Sequence, residues 1–367
     1  VFNVDRNNVT ENFEIYRDYT WDNFLTYNDS FGDHNLKWLL GMSVFKTTGD
    51  LASLTGFELP SNEYGSARVS NAAEVVDNYQ NGGDTFDTRL LSYFTRVQYD
   101  YQGKYLFSGL IRRDGSTAFG PENKFGWFPS ASVGWVISDE DFINDNGALN
   151  FLKLRGSYGI IGNDRIPAFR YASLLNGEGA YVFDDEIIFG KASGALGNPE
   201  IKWEKQKTLD IGLDARFFNS SVDVTIDYFK KKTEDLLVIP QVSGILGVAA
   251  PGSSAPFVNG GGVENEGLEF SIGYNQVVND NFKFNVNYNL TALRNEVLYV
   301  NSESGFIPGG VFGIGQEPPS RMEPGKPIGY FYGLETNGIF QTQAEVDAAA
   351  TQANAAPGDI RFVDQNG

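Results

Sequence analysis

The sequence predicts an all-β chain forming about ten strands of an antiparallel transmembrane β-barrel segment with long loops. Three observations predict it. Apolar and polar residues alternate with period two over segments of roughly ten residues, the pattern expected when one face meets lipid and the other a lumen. The connections run short, long, short, long along the chain, with the long ones on one side. Aromatic residues, among them Tyr99, Tyr101, Phe217, Tyr274 and Phe282, stand next to the short turns, where an interface girdle belongs.

The clearest element is the hairpin from Thr208 to Tyr228. Leu209, Ile211, Leu213, Ala215 and Phe217 alternate with Asp210, Gly212, Asp214 and Arg216. After an Asn219-Ser220-Ser221 turn, Val222, Val224, Ile226 and Tyr228 alternate with Asp223, Thr225 and Asp227. A half-buried strand of a soluble sheet has the same period, so repetition along the chain carries the argument. Residues from about Phe13 to Tyr27 alternate loosely, and a polar turn at Ser30 to His34 precedes Leu36, Trp38, Leu40, Met42 and Val44 on one face. Thr48 to Asp87, rich in Gly, Ser, Asn and acidic residues, is expected to be an exposed loop.

Leu91, Tyr93, Val97, Tyr99 and Tyr101 then alternate with Ser92, Arg96, Gln98 and Asp100, and a tight Gln102-Gly103-Lys104 turn leads into Tyr105 to Arg113. There the parity is ambiguous, because Leu106 and Leu110 compete with Phe107 and Ile111. A loop over Asp114 to Phe128, a strand through Ala131, Val133, Trp135 and Ile137, and a brief acidic connection from Asp139 to Asn150 follow. Leu152, Leu154 and Tyr158 alternate with Lys153, Arg155 and Ser157 before the longest loop, roughly Ile160 to Lys202. Beyond the hairpin, a loop from Leu236 to Gly262 precedes two final strands, Leu268 to Tyr274 and Phe282 to Leu290.

Composition excludes several classes of function. The chain has 367 residues, no cysteine and a formal net charge of −19. Phosphate backbones need clustered Lys and Arg, so nucleic acid is not expected as a partner. Disulfides and thiolate metal sites are impossible without cysteine. The longest apolar run, around Trp38 to Phe45, falls far short of the roughly 20 residues of a spanning helix. No signal peptide is evident after Val1, and the chain reads as a mature piece or as part of something longer.

No catalytic constellation stands out, and enzymatic activity is not expected. The single histidine, His34, is expected to be a solvated turn residue, without a Cys or second His to partner it. Carboxylates occur in every segment, and spacing selects no acid/base pair. No cofactor is expected; Asp364-x-Asn366-Gly367 could open an oxygen-rich calcium loop, an Asn-Gly turn being the alternative.

The lumen-facing candidates are Arg96, Asp100, Arg155, Asp210, Asp214, Arg216, Asp223, Asp227, Glu269 and Lys283. Charge on the lipid face costs about 2 to 4 kcal/mol at the midplane, which directs the four aspartates of the hairpin inward. These charges form either a path contacting a plug and substrate or cross-strand pairs that satisfy one another. Trp127, Tyr181, Phe183 and Phe189 lie in or beside long loops, where their rings could stack on a sugar. For Trp127 an interface girdle is the favoured role, and for the other three packing within a folded loop competes with ligand contact.

Several strings also carry a family resemblance. They are IRRDGSTAFG (Ile111 to Gly120), FGWFPSASVGW (Phe125 to Trp135), LKLRGSYGIIGN (Leu152 to Asn163) and NPEIKWEK (Asn198 to Lys205). The series continues with IDYFKKKTEDLL (Ile226 to Leu237), NEGLE (Asn265 to Glu269), IGYFYGLETNGIFQ (Ile328 to Gln341) and PGDIRFVDQNG (Pro357 to Gly367). In this order they resemble the barrel of SusC-like (SusC/RagA) TonB-dependent outer-membrane transporters of Bacteroidota, from about Leu36 onward.

The resemblance implies outer-membrane import of glycans or peptides, energised by TonB through a plug domain and assisted by a SusD-like surface lipoprotein. It also implies that residues 1–367 are part of a single barrel domain of about 22 strands. The plug and closing strands are then expected outside this chain, which alone should not transport. The alternatives left open are a small outer-membrane barrel serving as scaffold or adhesin, and a soluble β carbohydrate-binding protein.

Overall fold

The structure is a computed structural model and describes residues 6–73, 79–143, 148–175, 177–240, 242, 245, 253–313 and 317–365. In chain order the strands are β1 (Asn8–Phe31), β2 (His34–Phe57), β3 (Tyr79–Tyr101), β4 (Tyr105–Ser116), β5 (Phe125–Val136), β6 (Leu149–Asn163) and β7 (Gly177–Phe183). They continue with β8 (Glu186–Ala192), β9 (Glu204–Phe217), β10 (Val222–Glu234), β11 (Leu237–Val238), β12 (Val258–Asn259), β13 (Gly261–Asn279) and β14 (Phe282–Val300).

Ten of these form one antiparallel sheet in the order β1-β2-β3-β4-β5-β6-β9-β10-β13-β14. Every strand pairs with its successor in that order, so each side chain's face follows from the period of two. The outermost strands β1 and β14 pair on one side only, so these ten strands do not close on themselves. That finding disfavours a complete ten-stranded barrel, whose closure would leave no edge.

The turn end of the sheet is tight. At the β3–β4 turn, Gln102 and Gly103 both take positive φ, 56° and 68°, the primed geometry that matches the right-handed twist of two-residue hairpins. Residues 32–33, 218–221 and 280–281 make the other close turns. At the opposite end stand the connections 58–78, 117–124, 164–203 and 235–260. The expected segregation of loop lengths fails at one place: the β5–β6 connection, 137–148, is longer than 117–124 on the loop end.

Other expectations are also corrected. Thr48 to Asp87 is not one loop, because β2 runs to Phe57 and β3 starts at Tyr79, with Thr48 paired to Asp87. Polar, Gly-rich sequence stays extended there because each strand lies in register against an ordered neighbour. The loop expected over Asp114 to Phe128 shrinks to 117–124. The segment expected as the longest loop contains the β7–β8 hairpin.

The ambiguity in β4 resolves in favour of Phe107 and Ile111 outward, both about two-fifths exposed, with Leu106 and Leu110 on the opposite face. His34 is not a solvated turn residue. It begins β2, half-buried, its Nδ1 2.6 Å from the Tyr99 hydroxyl and its ring centroid 4.7 Å from that of Tyr101. Tyr101 stacks in turn on Tyr105 across the turn.

One face of the sheet carries aromatic and aliphatic rows that stay exposed, among them Trp38, Tyr105, Phe107, Val133, Ile211, Ile226, Leu268, Tyr288 and Leu290. The main buried core lies elsewhere, at the loop end. Phe119, Trp203, Phe128, Ile201 and Ala118 pack together, joined by Tyr171 and Phe257 from the long loops. The Trp203 ring centroid lies 5.0 Å from that of Phe119, tilted, and 5.2 Å from that of Phe128, edge-on, and its indole N–H donates to the Lys124 carbonyl.

Candidate functional site

The other face of the sheet is polar, and strand register lines its side chains into rows. Lys37, Gln98, Ser108, Ser132, Ser157 and Asp210 occupy successive strands as direct partners. The neighbouring row runs Asn35, Asp100, Leu106, Gly134, Arg155, Gly212, Asp227, Glu269 and Thr291. The first row, and the second as far as Arg155, line a concavity of about 410 Å³, to which Lys153 also contributes; Gly212, Asp227, Glu269 and Thr291 continue the second row beyond it.

Arg155 organises this wall. Its Nη1 lies 3.2 Å from Asp210, its Nε 3.1 Å from Asp214 and its Nη2 2.6 Å from Asp227. One guanidinium thus ties three carboxylates from two neighbouring strands, matching its fixed fork of donors. Asp214 also accepts from the Thr225 hydroxyl at 3.3 Å. Gly212 makes the arrangement possible: a Cβ there would sit 2.3 Å from Asp227 Oδ1 and 2.4 Å from Arg155 Cζ.

The ion pairs are cross-strand, and they leave the cluster with an excess of negative charge. The wall presents fixed donors and acceptors on the polar face of the sheet. Among the described residues, no group of three His, Cys, Asp or Glu is placed to hold a metal.

The remaining expected lumen residues are distributed rather than gathered. Arg216 pairs with Asp223 at 3.3 Å, and Asp223 accepts from Asn275. Asp100 caps the β3–β4 turn by accepting from the Gly103 N–H at 2.9 Å. Arg96 stands between Leu39 and Leu110, Glu269 beside Asp227, and Lys283 opposite Val277 near the β13–β14 turn.

Of the loop candidates, Trp127 lies within β5, on the outward face and 58% exposed. Tyr181 and Phe183 are exposed on β7, and Phe189 is placed in β8 opposite Ala180. Asn366 and Gly367, on which a calcium loop depends, lie outside the described residues.

Sequence reasoning missed two features. One is the loop-root core around Trp203, whose members come from separate loops and from β5. The other is a break in the wall: β5 pairs with β6 only from Ser130 opposite Gly159 to Val136 opposite Lys153. Residues 125–129 have no partner on that side, and Pro129, inside an otherwise regular strand, was the available signal, since proline cannot donate to a ladder.

A polar wall behind an exposed apolar band, with tight turns at one end and long loops at the other, defines the class as an outer-membrane β-barrel wall. Comparison with known proteins gives the family. Residues 2–354 match the family model described as TonB dependent receptor-like, beta-barrel, and the chain belongs to that family.

A TonB-dependent receptor of Formosa agariphila is 33% identical over 354 residues, covering 94% of this chain and 34% of the relative. The TonB-dependent receptor SusC of Bacteroides thetaiotaomicron is 33% identical over 285 residues, 76% of this chain and 27% of that protein. A solved structure of the RagAB peptide transporter superposes with a TM-score of 0.75 at 23% identity, over 90% of this chain and 35% of the solved one. The chain therefore spans about a third of the length of the relatives it matches, and it is an outer-membrane protein by family.

Proposed function

We propose that this chain is wall and loop structure of a TonB-dependent importer of glycan or peptide nutrients. The observation that carries the reading is the polar wall centred on Arg155, held by register behind an apolar outward face, in a chain of this family. In the whole protein, about 22 strands close the barrel, a plug fills the lumen against this wall and TonB draws on the plug. A SusD-like surface lipoprotein works with the loop end. The RagAB peptide transporter, as a structural neighbour, supports the peptide class; the glycan class and the lipoprotein partner rest on the motif resemblance to SusC-like transporters. The chain is a transport component and not a catalyst.

The test uses the full-length protein in its own cells. Labelled oligosaccharides and labelled peptides are offered with and without an uncoupler, and the tagged protein is isolated to identify what accompanies it. Accumulation of one class that stops on uncoupling, with a lipoprotein co-purifying, is the expected result. Accumulation of neither class, or uptake indifferent to the uncoupler, overturns the reading.

A further inference from the structure

Arg112 and Arg113 are adjacent in β4 and point to opposite faces. Arg112, on the polar face, finds Asp114 at 3.1 Å and the Ser92 hydroxyl at 3.2 Å. Arg113 points to the outward face and finds aromatic rings instead. Its guanidinium carbon lies 4.2 Å from the Phe125 ring centroid and 5.7 Å from that of Trp127. Trp127 is its partner on β5 and Tyr93 its partner on β3. Among the described residues no ion pair reaches Arg113, and its Nε is buried with no hydrogen-bond partner.

The height of this cation is informative. From Tyr105 in the turn-end girdle, β4 climbs about 27 Å to Arg113 at ~3.4 Å per residue, hence about 20 Å along the membrane normal at a tilt near 40°. The apolar band of such barrels is about 25 Å tall. Arg113 therefore stands near the outer margin of the band, about 5 Å inside it, beside the rings of Phe125 and Trp127.

An unneutralised guanidinium is expensive in hydrocarbon and stable at that margin when an anion meets it. Beside it lies the break in the wall, where Phe125 to Pro129 part from β6, and Tyr158, paired with Ala131 just below the break and on the same outward face as Arg113, is 48% exposed. A lipid has both parts this surface fits: a phosphate for the fork and a chain for the groove.

We infer that Arg113, flanked by Phe125 and Trp127, is a binding site for a phosphate-bearing lipid of the outer leaflet, whose acyl chain lies in the groove between β5 and β6. The site depends on outer-membrane location and on the outward face of β4; it does not depend on what the protein imports.

The test is retention of lipid A by the purified full-length protein in mild detergent, read by native mass spectrometry, with the lipid intact or stripped of its phosphates. Wild type retains intact lipid and loses it when the phosphates are removed. Arg113→Gln binds it about tenfold more weakly and Arg113→Lys within about threefold of wild type, the scale of one charge-assisted hydrogen bond. Equal retention of stripped lipid by wild type overturns the proposal, and that comparison requires no variant to fold. Undiminished retention by a folded Arg113→Gln overturns it too, as does complete displacement by excess inorganic phosphate, which would identify a free-anion site.

Discussion

Two regions of the molecule are held together by different physics. The wall around Arg155 is an electrostatic construction, three carboxylates on one guanidinium, with polar neighbours and little apolar burial. The loop-root core around Trp203 is a packed one, with Phe119 and Ile201 fully buried and Phe128 and Trp203 nearly so. The wall is polar, and register and charge hold its side chains in place. At the loop end, rings from separate loops and from β5 are buried against one another. Charge sets the position of side chains in the first region; packing sets the position of loops in the second.

The strongest way to break that contrast is to remove the packed side. Trp203→Ala deletes the ring that touches both Phe119 and Phe128, at an expected cost of ~3–5 kcal/mol. The measurement is limited proteolysis and denaturant unfolding of the full-length protein. Cleavage within 164–203 should accelerate at every salt concentration, and an unchanged digestion pattern would show that the core does not hold the loops.

A smaller and salt-dependent response is expected from the charged side. Arg155→Met leaves Asp210, Asp214 and Asp227 facing one another. Because Arg155 is about 31% exposed, solvent screening reduces the expected cost to about 1–2 kcal/mol. Repulsion is screened by salt, so the defect should shrink between about 0.05 and about 0.5 M salt as the Debye length falls. A defect of the same size at both would mean that Arg155 acts by packing, as Trp203 does.

The smallest effect belongs to the turn end. Glu140, in the 137–148 connection, accepts from the Tyr105 hydroxyl at 2.5 Å and the Trp135 indole at 2.8 Å, with Lys104 Nζ at 3.5 Å. These donors, Tyr105 first, hold its carboxyl below the ordinary glutamate range. A lowered folded-state pKa contributes stability that is present above the unfolded value and lost as pH falls through the folded one. Wild type should therefore melt progressively lower as pH drops below the glutamate range, and Glu140→Gln should show a shallower decline. Parallel curves would remove Glu140 from the acid response.

Much of this was readable beforehand, and the failures share a cause. The hairpin of β9 and β10 shows its two faces directly, since Leu209, Ile211 and Leu213 alternate with Asp210, Gly212 and Asp214. The ends of β2 and β3 did not, because their polar sequence resembles loop and only pairing over 23 residues of β3 keeps it extended. His34 was misjudged because its partner Tyr99 is 65 residues away. Arg113 was passed over because the parity of β4 was undecided between Leu106 and Phe107.

Alone, the sequence determined that the chain is antiparallel β, which side chains share a face along each strand, and which family the motifs resemble. These are properties of neighbours in the chain, set by a backbone that turns successive side chains to opposite sides. The tertiary structure decided which carboxylates reach Arg155, that Gly212 leaves room for it, that Trp203 gathers three loops, and that β5 parts from β6 beside Arg113. Each of those is a matter of register between strands or of meetings between distant loops, which period-two alternation does not encode.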